Sequence, residues 1–284
     1  MTHLRSAPSG RRFVDLGDLR LRLFEHDSRP SLADGRAPGT TLVLLHGAGG
    51  NYLQWPPAMR RMSGLRVLAP DLPGHGDSFG QACADTASYA RVVSRLLDVL
   101  EVTKCVVAGY SMGGGISLDL AHDDPKRVIG LAILGAGERI PISIEVVKLL
   151  GRVVGGDGDS YREGSPHLRP LTRAAFERID REVLAQDLAA CAAFDARPYA
   201  ADIRPPTLIV AGEQDGMVPV SECRALHRRI ANSELHVLPG VGHTFLWERT
   251  PVVTDLMQRL TGRARSFAVN HAQLTRDKVL STDG

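Results

Sequence analysis

The sequence predicts an α/β fold: a mostly parallel central sheet flanked by helices, with a helical cap inserted into it. Three observations lead there. Short apolar runs alternate with longer amphipathic ones through the first half of the chain, as parallel strands joined by crossover helices require. The run 41–45 is apolar almost throughout, which suits a strand buried on both faces. The alternation breaks between residues 139 and 200 and then resumes.

The elements follow in chain order. Residues 19–24 alternate apolar and charged side chains, as an outer strand does. After the strand at 41–45, a short one at 66–69 stops at Pro70. Across 86–100, Tyr89, Val92, Val93, Leu96, Leu97 and Leu100 recur at helical spacing. Strand 105–108, helix 112–121 and strand 128–134 come next. Strands 207–211 and 235–238 are each followed by a helix-compatible stretch. Within the break, Ile144, Val147, Leu150 and Val154 predict one helix. Phe176, Ile179, Val183, Leu184 and Leu188 share one face of another. The domain reading is a core of residues 1–138 and 201–265, a helical cap or lid at 139–200, and a polar C-terminal tail at 266–284 with little periodicity.

Composition narrows the function classes. With 34 basic and 32 acidic residues the formal net charge is +2, which leaves no electrostatic footprint for nucleic acid or a membrane surface. Apolar runs such as 128–134 are far shorter than the roughly 20 residues of a bilayer span. The N-terminal stretch has basic residues but no apolar core, so no secretory signal is expected. Cys83, Cys105, Cys191 and Cys223 show neither paired spacing nor a zinc pattern, and Cys105 reads as a small buried hydrophobe. The acidic run Asp157-Gly-Asp159 is not a calcium loop, because Tyr161 and Arg162 stand where a further ligand and the turn glycine belong. The expectation is a cytoplasmic protein, monomer or homodimer, without metal, cofactor or disulfide, acting on a small molecule.

Two glycine-rich turns carry the chemistry. Gly109-Tyr-Ser111-Met-Gly113 follows an apolar strand and precedes a helix, the context that G-x-S-x-G requires. A serine on such a turn takes an unfavourable backbone conformation, and glycine on either side removes Cβ atoms that would collide with strand and helix. Its hydroxyl is then presented at the carboxyl end of the sheet and at a helix N-terminus, where negative charge is favoured. His46-Gly-Ala48-Gly-Gly50 likewise follows a buried strand. Acyl transfer needs two N–H donors aimed at the developing oxyanion. Met112, just after the serine, and Ala48 are the candidates. His46 reads as structural, bonded within its own loop.

At this point the chain resembles a known family. HGAGGN, DLPGHGDS (71–78), GYSMGG (109–114), AGEQD (211–215) and GVGH (240–243), in that order, resemble the α/β-hydrolase superfamily, specifically its serine esterases and lipases with a helical cap. The resemblance covers about 19–260 outside the cap and implies the α/β-hydrolase fold. It also implies a triad, with Ser111 as nucleophile, Asp215 as acid after strand 207–211, and His243 as base after the last strand. The order Ser, Asp, His is that of this fold. Glu138, after strand 128–134, is a rival acid. His75 matches a family turn and is expected to be structural, with Asp77 and Ser78 capping the next helix or bonding the loop.

The implied activity is hydrolysis of a carboxylic ester or lactone through an acyl-enzyme. Ser111 stands where dehalogenases and epoxide hydrolases of the family carry aspartate. Carbon–carbon bond hydrolases remain an alternative, although they usually carry asparagine where this chain has Tyr110. Acyl transfer to an alcohol or peroxide uses the same residues. A ligand-binding member without catalysis is a further alternative, but pure binding has no need of that trio.

Overall fold

The computed structural model describes residues 10–30, 39–142 and 180–282 of the chain. Within them lies an eight-stranded sheet: β1 (Gly10–Asp15), β2 (Arg20–Asp27), β3 (Thr41–Leu45), β4 (Arg66–Pro70), β5 (Cys105–Tyr110), β6 (Val128–Leu134), β7 (Thr207–Gly212) and β8 (Ser233–Leu238). The spatial order is β1-β2-β4-β3-β5-β6-β7-β8. The first two pairings are antiparallel and every other one is parallel. The chain steps from β3 outward to β4, then returns to β5 on the other side of β3. Open α/β sheets form their ligand crevice at such a reversal, outside the carboxyl ends of the strands. Register places the turns: Leu45 pairs with Gly109, and Gly212 with Leu238. The loops after β3 and β5 therefore emerge side by side, as do those after β7 and β8.

Strand pleating divides the core into two layers. Val43, Leu45, Val107 and Ile209 face a layer closed by α2 (Thr86–Val99), α3 (Met112–Asp123) and α5 (Val220–Arg229). Leu42, Leu44, Val106 and Val210 face the other, with Met59 of α1 (Pro57–Arg60), α6 (Phe245–Glu248) and α7 (Thr250–Thr282). All these strand side chains are fully buried. The expectation that Cys105 is a small buried hydrophobe holds, and all four cysteines are free. No helix among the described residues is long and apolar enough to cross a membrane.

Between β6 and β7 the described residues contain α4 (Arg181–Ala193), N-capped by Asp180, whose carboxylate accepts the Glu182 N–H at 2.8 Å. Leu184, Ala190 and Cys191 are buried on its inner side, and so is Asp187. The predicted positions Ile144, Val147, Leu150, Val154, Phe176 and Ile179, and the run Asp157–Asp159, lie outside the described residues.

Two elements differ from expectation. β1 was not foreseen: only Val14 of its six residues is buried, so no alternation announces it. Pairing with β2, with Phe13 opposite Arg22, makes it a strand. Residues 266–282 are not a non-periodic tail but continue α7. Thr261 and Ala264 anchor that helix in the core, Ala268 packs against it, and Phe267 stacks on His271 at 5.7 Å.

Candidate active site

Ser111 sits at the tip of the β5–α3 turn with φ 55° and ψ −121°. A non-glycine residue there carries about 1–3 kcal/mol of strain, and such strain collects at functional sites. The flanking glycines make the turn possible. A Cβ on Gly109 would lie 1.9 Å from the Gly113 carbonyl oxygen, and one on Gly113 would lie 2.2 Å from that of Leu45. The Ser111 N–H donates to the Leu134 carbonyl at 2.8 Å, and its own carbonyl accepts the Gly114 N–H at 2.7 Å.

The loop after β3 lies against this serine, since a Cβ on Gly47 would come 3.1 Å from the Ser111 Cβ. Its amides are almost all committed. Gly47 N–H donates to Gln54 Oε1 at 2.6 Å, Gly49 N–H to Asp187 Oδ2 at 2.8 Å, and Gly50 N–H to the Gly47 carbonyl at 3.0 Å. Among the described residues, neither Ala48 N–H nor Met112 N–H has an acceptor. His46 stabilises the same loop. Its Nε2 accepts the Leu72 N–H at 3.0 Å, so Nδ1 carries the proton and donates to the Gly47 carbonyl at 2.9 Å. Burial, reinforced by neighbouring His75, holds its pKa well below the ordinary histidine value, which fits that neutral tautomer.

The loops after β7 and β8 bring together the other two predicted residues. His243 Nδ1 lies 2.7 Å from Asp215 Oδ2, with the carboxylate fully buried and the ring one-tenth exposed. Asp215 Oδ1 accepts the backbone N–H groups of Met217 and Val218, each at 2.9 Å. One oxygen is thus fixed by the turn and the other is left for the imidazole. Gly135, with φ 64°, follows β6 directly under the ring; a Cβ there would reach His243 Cε1 at 3.1 Å. Tyr110 holds the loop itself, its hydroxyl donating to the His243 carbonyl at 2.6 Å.

The rival acid points elsewhere. The Glu138 carboxylate is paired with Arg229 of α5, which occupies it away from His243. Of the residues after β4, Ser78 bonds the loop, accepting Arg22 N–H at 2.8 Å and donating to the Asp71 carbonyl at 2.6 Å. Helix α2 is capped by Asp85, not by Asp77 or Ser78. Phe245 and Leu246 are core residues and Trp247 packs beside them.

One residue of α4 escaped sequence reasoning. Helix α4 packs onto the site: Leu184 contacts Ala48, Leu188 and Met217, touching the loops after both β3 and β7. One turn further on, Asp187 is fully buried and accepts three hydrogen bonds. Gly49 N–H and His75 Nε2 share its Oδ2, at 2.8 and 2.7 Å, and the Tyr89 hydroxyl reaches Oδ1 at 2.7 Å. His75 Nδ1 faces the Pro73 carbonyl at 2.9 Å, so both ring nitrogens meet acceptors and the ring is an imidazolium. Burial opposes that charge, but the Asp187 hydrogen bond and carboxylate outweigh it and raise the His75 pKa. The available signal was a carboxylate inside the apolar stripe of Leu184, Leu188 and Cys191.

Residues 42–255 match the model of the alpha/beta hydrolase family, and the chain belongs to that family. A 2-hydroxy-6-oxononadienedioate/2-hydroxy-6-oxononatrienedioate hydrolase from Klebsiella pneumoniae is 29% identical over 286 residues, covering 88% of this chain and 94% of its own. The dihydrolipoyllysine-residue acetyltransferase component of an acetoin cleaving system from Pseudomonas putida is 32% identical, over 86% of this chain and 67% of its own. The enol-lactonase of Burkholderia xenovorans shares the fold, with a TM-score of 0.75 at 24% identity over 88% of this chain and 99% of that one. Family and relatives together make the chain a hydrolase.

Proposed function

We propose that the chain hydrolyses a carboxylic ester or lactone of a small organic substrate through an acyl-enzyme. The observation that carries this reading is the buried Asp215–His243 pair at 2.7 Å, whose histidine carbonyl is tied by the Tyr110 hydroxyl to the residue just before a serine held at φ 55°. His243 Nε2 takes the Ser111 proton as Oγ attacks the substrate carbonyl. The carbonyl π electrons move to the oxygen, which accepts from the N–H groups of Ala48 and Met112. Collapse breaks the ester bond, and the imidazolium returns the proton to the departing alkoxide. Water then repeats the sequence on the acyl group and frees Ser111. Asp215 keeps Nδ1 protonated and orients the ring throughout.

Residues 139–200 act as a lid in this reading. Leu184, backed by Leu188, supplies apolar contact to the loops that hold Ala48 and Met217, excluding water and grading substrates by size. The protein would work in the cytoplasm, as monomer or homodimer. Likeness to the Klebsiella hydrolase favours a second reading, carbon–carbon bond cleavage on the same three residues. The test is a fluorophosphonate probe with mass-spectrometric site mapping, followed by turnover of graded esters, lactones and a 2-hydroxy-6-oxo-dienoate. Labelling at Ser111 with ester or lactone turnover supports the proposal. Cleavage of the dienoate alone would replace it with the second reading, and no labelling at Ser111 would end both.

A further inference from the structure

We infer that Asp187, on α4, is a positioning residue that holds the loop after β3 in the form that aims Ala48 N–H at the reacting oxygen. The inference rests on the proposed role of that N–H group.

Gly47, Gly49 and Gly50 N–H groups are each tied down, and the Ala48 N–H, without an acceptor among the described residues, lies between two fixed neighbours. Gln54 fixes the near side from within the same loop region. The far side depends on Asp187, 138 residues away in the chain. Gly49 has φ 62°, and its peptide plane is set by where its N–H finds an acceptor. Rotating the Ala48–Gly49 unit would redirect the neighbouring amide, since consecutive peptide planes share Cα atoms.

Asp187 is built to keep that acceptor still. His75 and Tyr89 donate to its two oxygens, so the carboxylate cannot turn without abandoning a buried imidazolium or a buried hydroxyl. Leu184, one turn earlier, rests on Ala48 itself. Helix α4 therefore grips two adjacent residues of the loop, one by packing and one by hydrogen bonding. The seating of α4 and the aim of the Ala48 N–H are therefore set by the same contacts. An oxyanion donor contributes in the transition state more than in the ground state, so loss of its aim should appear in kcat and not in KM.

The experiment compares wild type with Asp187→Asn, and with Asp187→Asn/His75→Gln, which also removes the buried cation that could unfold the single variant. Tyr199→Phe serves as control: it breaks the Tyr199–Asp119 bond between α3 and the chain just beyond α4, away from the loop. Each is titrated with the fluorophosphonate, and kcat and KM of a short ester are expressed per labelled Ser111. The affinity of a trifluoromethyl ketone, which forms a tetrahedral adduct on the serine, is measured alongside. The expected result is a kcat lower by about 10–100-fold in both Asp187 variants, with KM within about twofold and ketone affinity weakened by the same factor as kcat. Tyr199→Phe should keep wild-type kcat per site. If the folded Asp187 variants keep kcat and ketone affinity within about twofold of wild type, Asp187 is structural and the inference fails. If wild-type Ser111 neither labels nor turns over an ester, the proposed function fails instead.

Discussion

Tyr110 and His243 are joined by a hydrogen bond from the phenol to the histidine's main-chain carbonyl, with ring centroids 5.1 Å apart. The residue before Ser111 thereby fixes the backbone of His243, although it ends β5 and His243 lies on the loop after β8. Tyr110→Phe keeps the ring but frees the carbonyl. It should cost about 1 kcal/mol of stability, the worth of a typical hydrogen bond. Looser placement of the base should lower kcat by roughly 3–30-fold, well short of losing the base. Denaturant midpoints and steady-state kinetics on one ester would show both, and an unchanged kcat would mean that the loop is held without Tyr110.

Ser111→Ala should lower kcat by roughly 10⁴–10⁶-fold, the scale of losing a triad nucleophile. Stability should hold or rise, because alanine still occupies the strained turn while the buried surroundings are unchanged. Retention of more than about a tenth of the activity would require another nucleophile.

Asp215→Asn should cost roughly 10³–10⁴-fold in kcat by favouring the wrong tautomer of His243. Glu138→Gln should change kcat by less than about tenfold and stability by about 1 kcal/mol or less, since the Arg229 side of its ion pair is partly exposed. The reverse ranking in kinetics would move the acid to the loop after β6.

The His75–Asp187 pair predicts a pH-dependent stability. The folded His75 pKa is raised above the ordinary value of 6.5, so its contribution is complete below that value and is lost as pH rises through the folded one. Asp71, pushed up to about 6 by burial, acts in the same sense at lower pH. Unfolding of wild type and His75→Gln, measured at about pH 6 and about pH 9, separates the two. The stability gap between them should narrow at the higher pH, and a constant gap would show that His75 is not charged in the folded protein.

Most of the framework could be read from the residues because local pattern and burial agree there. Thr41–Leu45 and Val128–Leu134 are buried strands that look like buried strands, and the glycines around Ser111 announce their own steric need. β1 hid because it is half-exposed and exists through its partner. The extension of α7 past residue 265 hid because its anchors, Thr261 and Ala264, are small or polar. His46 and His75 read as structural from the sequence, but the charge on His75 needs a carboxylate 112 residues away. Asp187 had no legible role for the same reason, with all three of its donors on distant segments.

The bridge between Arg139 and Asp195 has a bearing on how such a protein can change over generations. The two residues pair just beyond β6 and before β7, which are themselves neighbours in the sheet. Whatever chain runs between them leaves and rejoins the scaffold at a single neck. Lengthening or exchanging it costs little closure entropy, rising only as the logarithm of its length. Substrate preference can then be retooled by replacing one contiguous stretch of gene, with no strand forced to find a new partner. The exception is the few positions through which α4 reaches back into the loop after β3, and a grafted segment lacking a counterpart of Asp187 would arrive without its fastening.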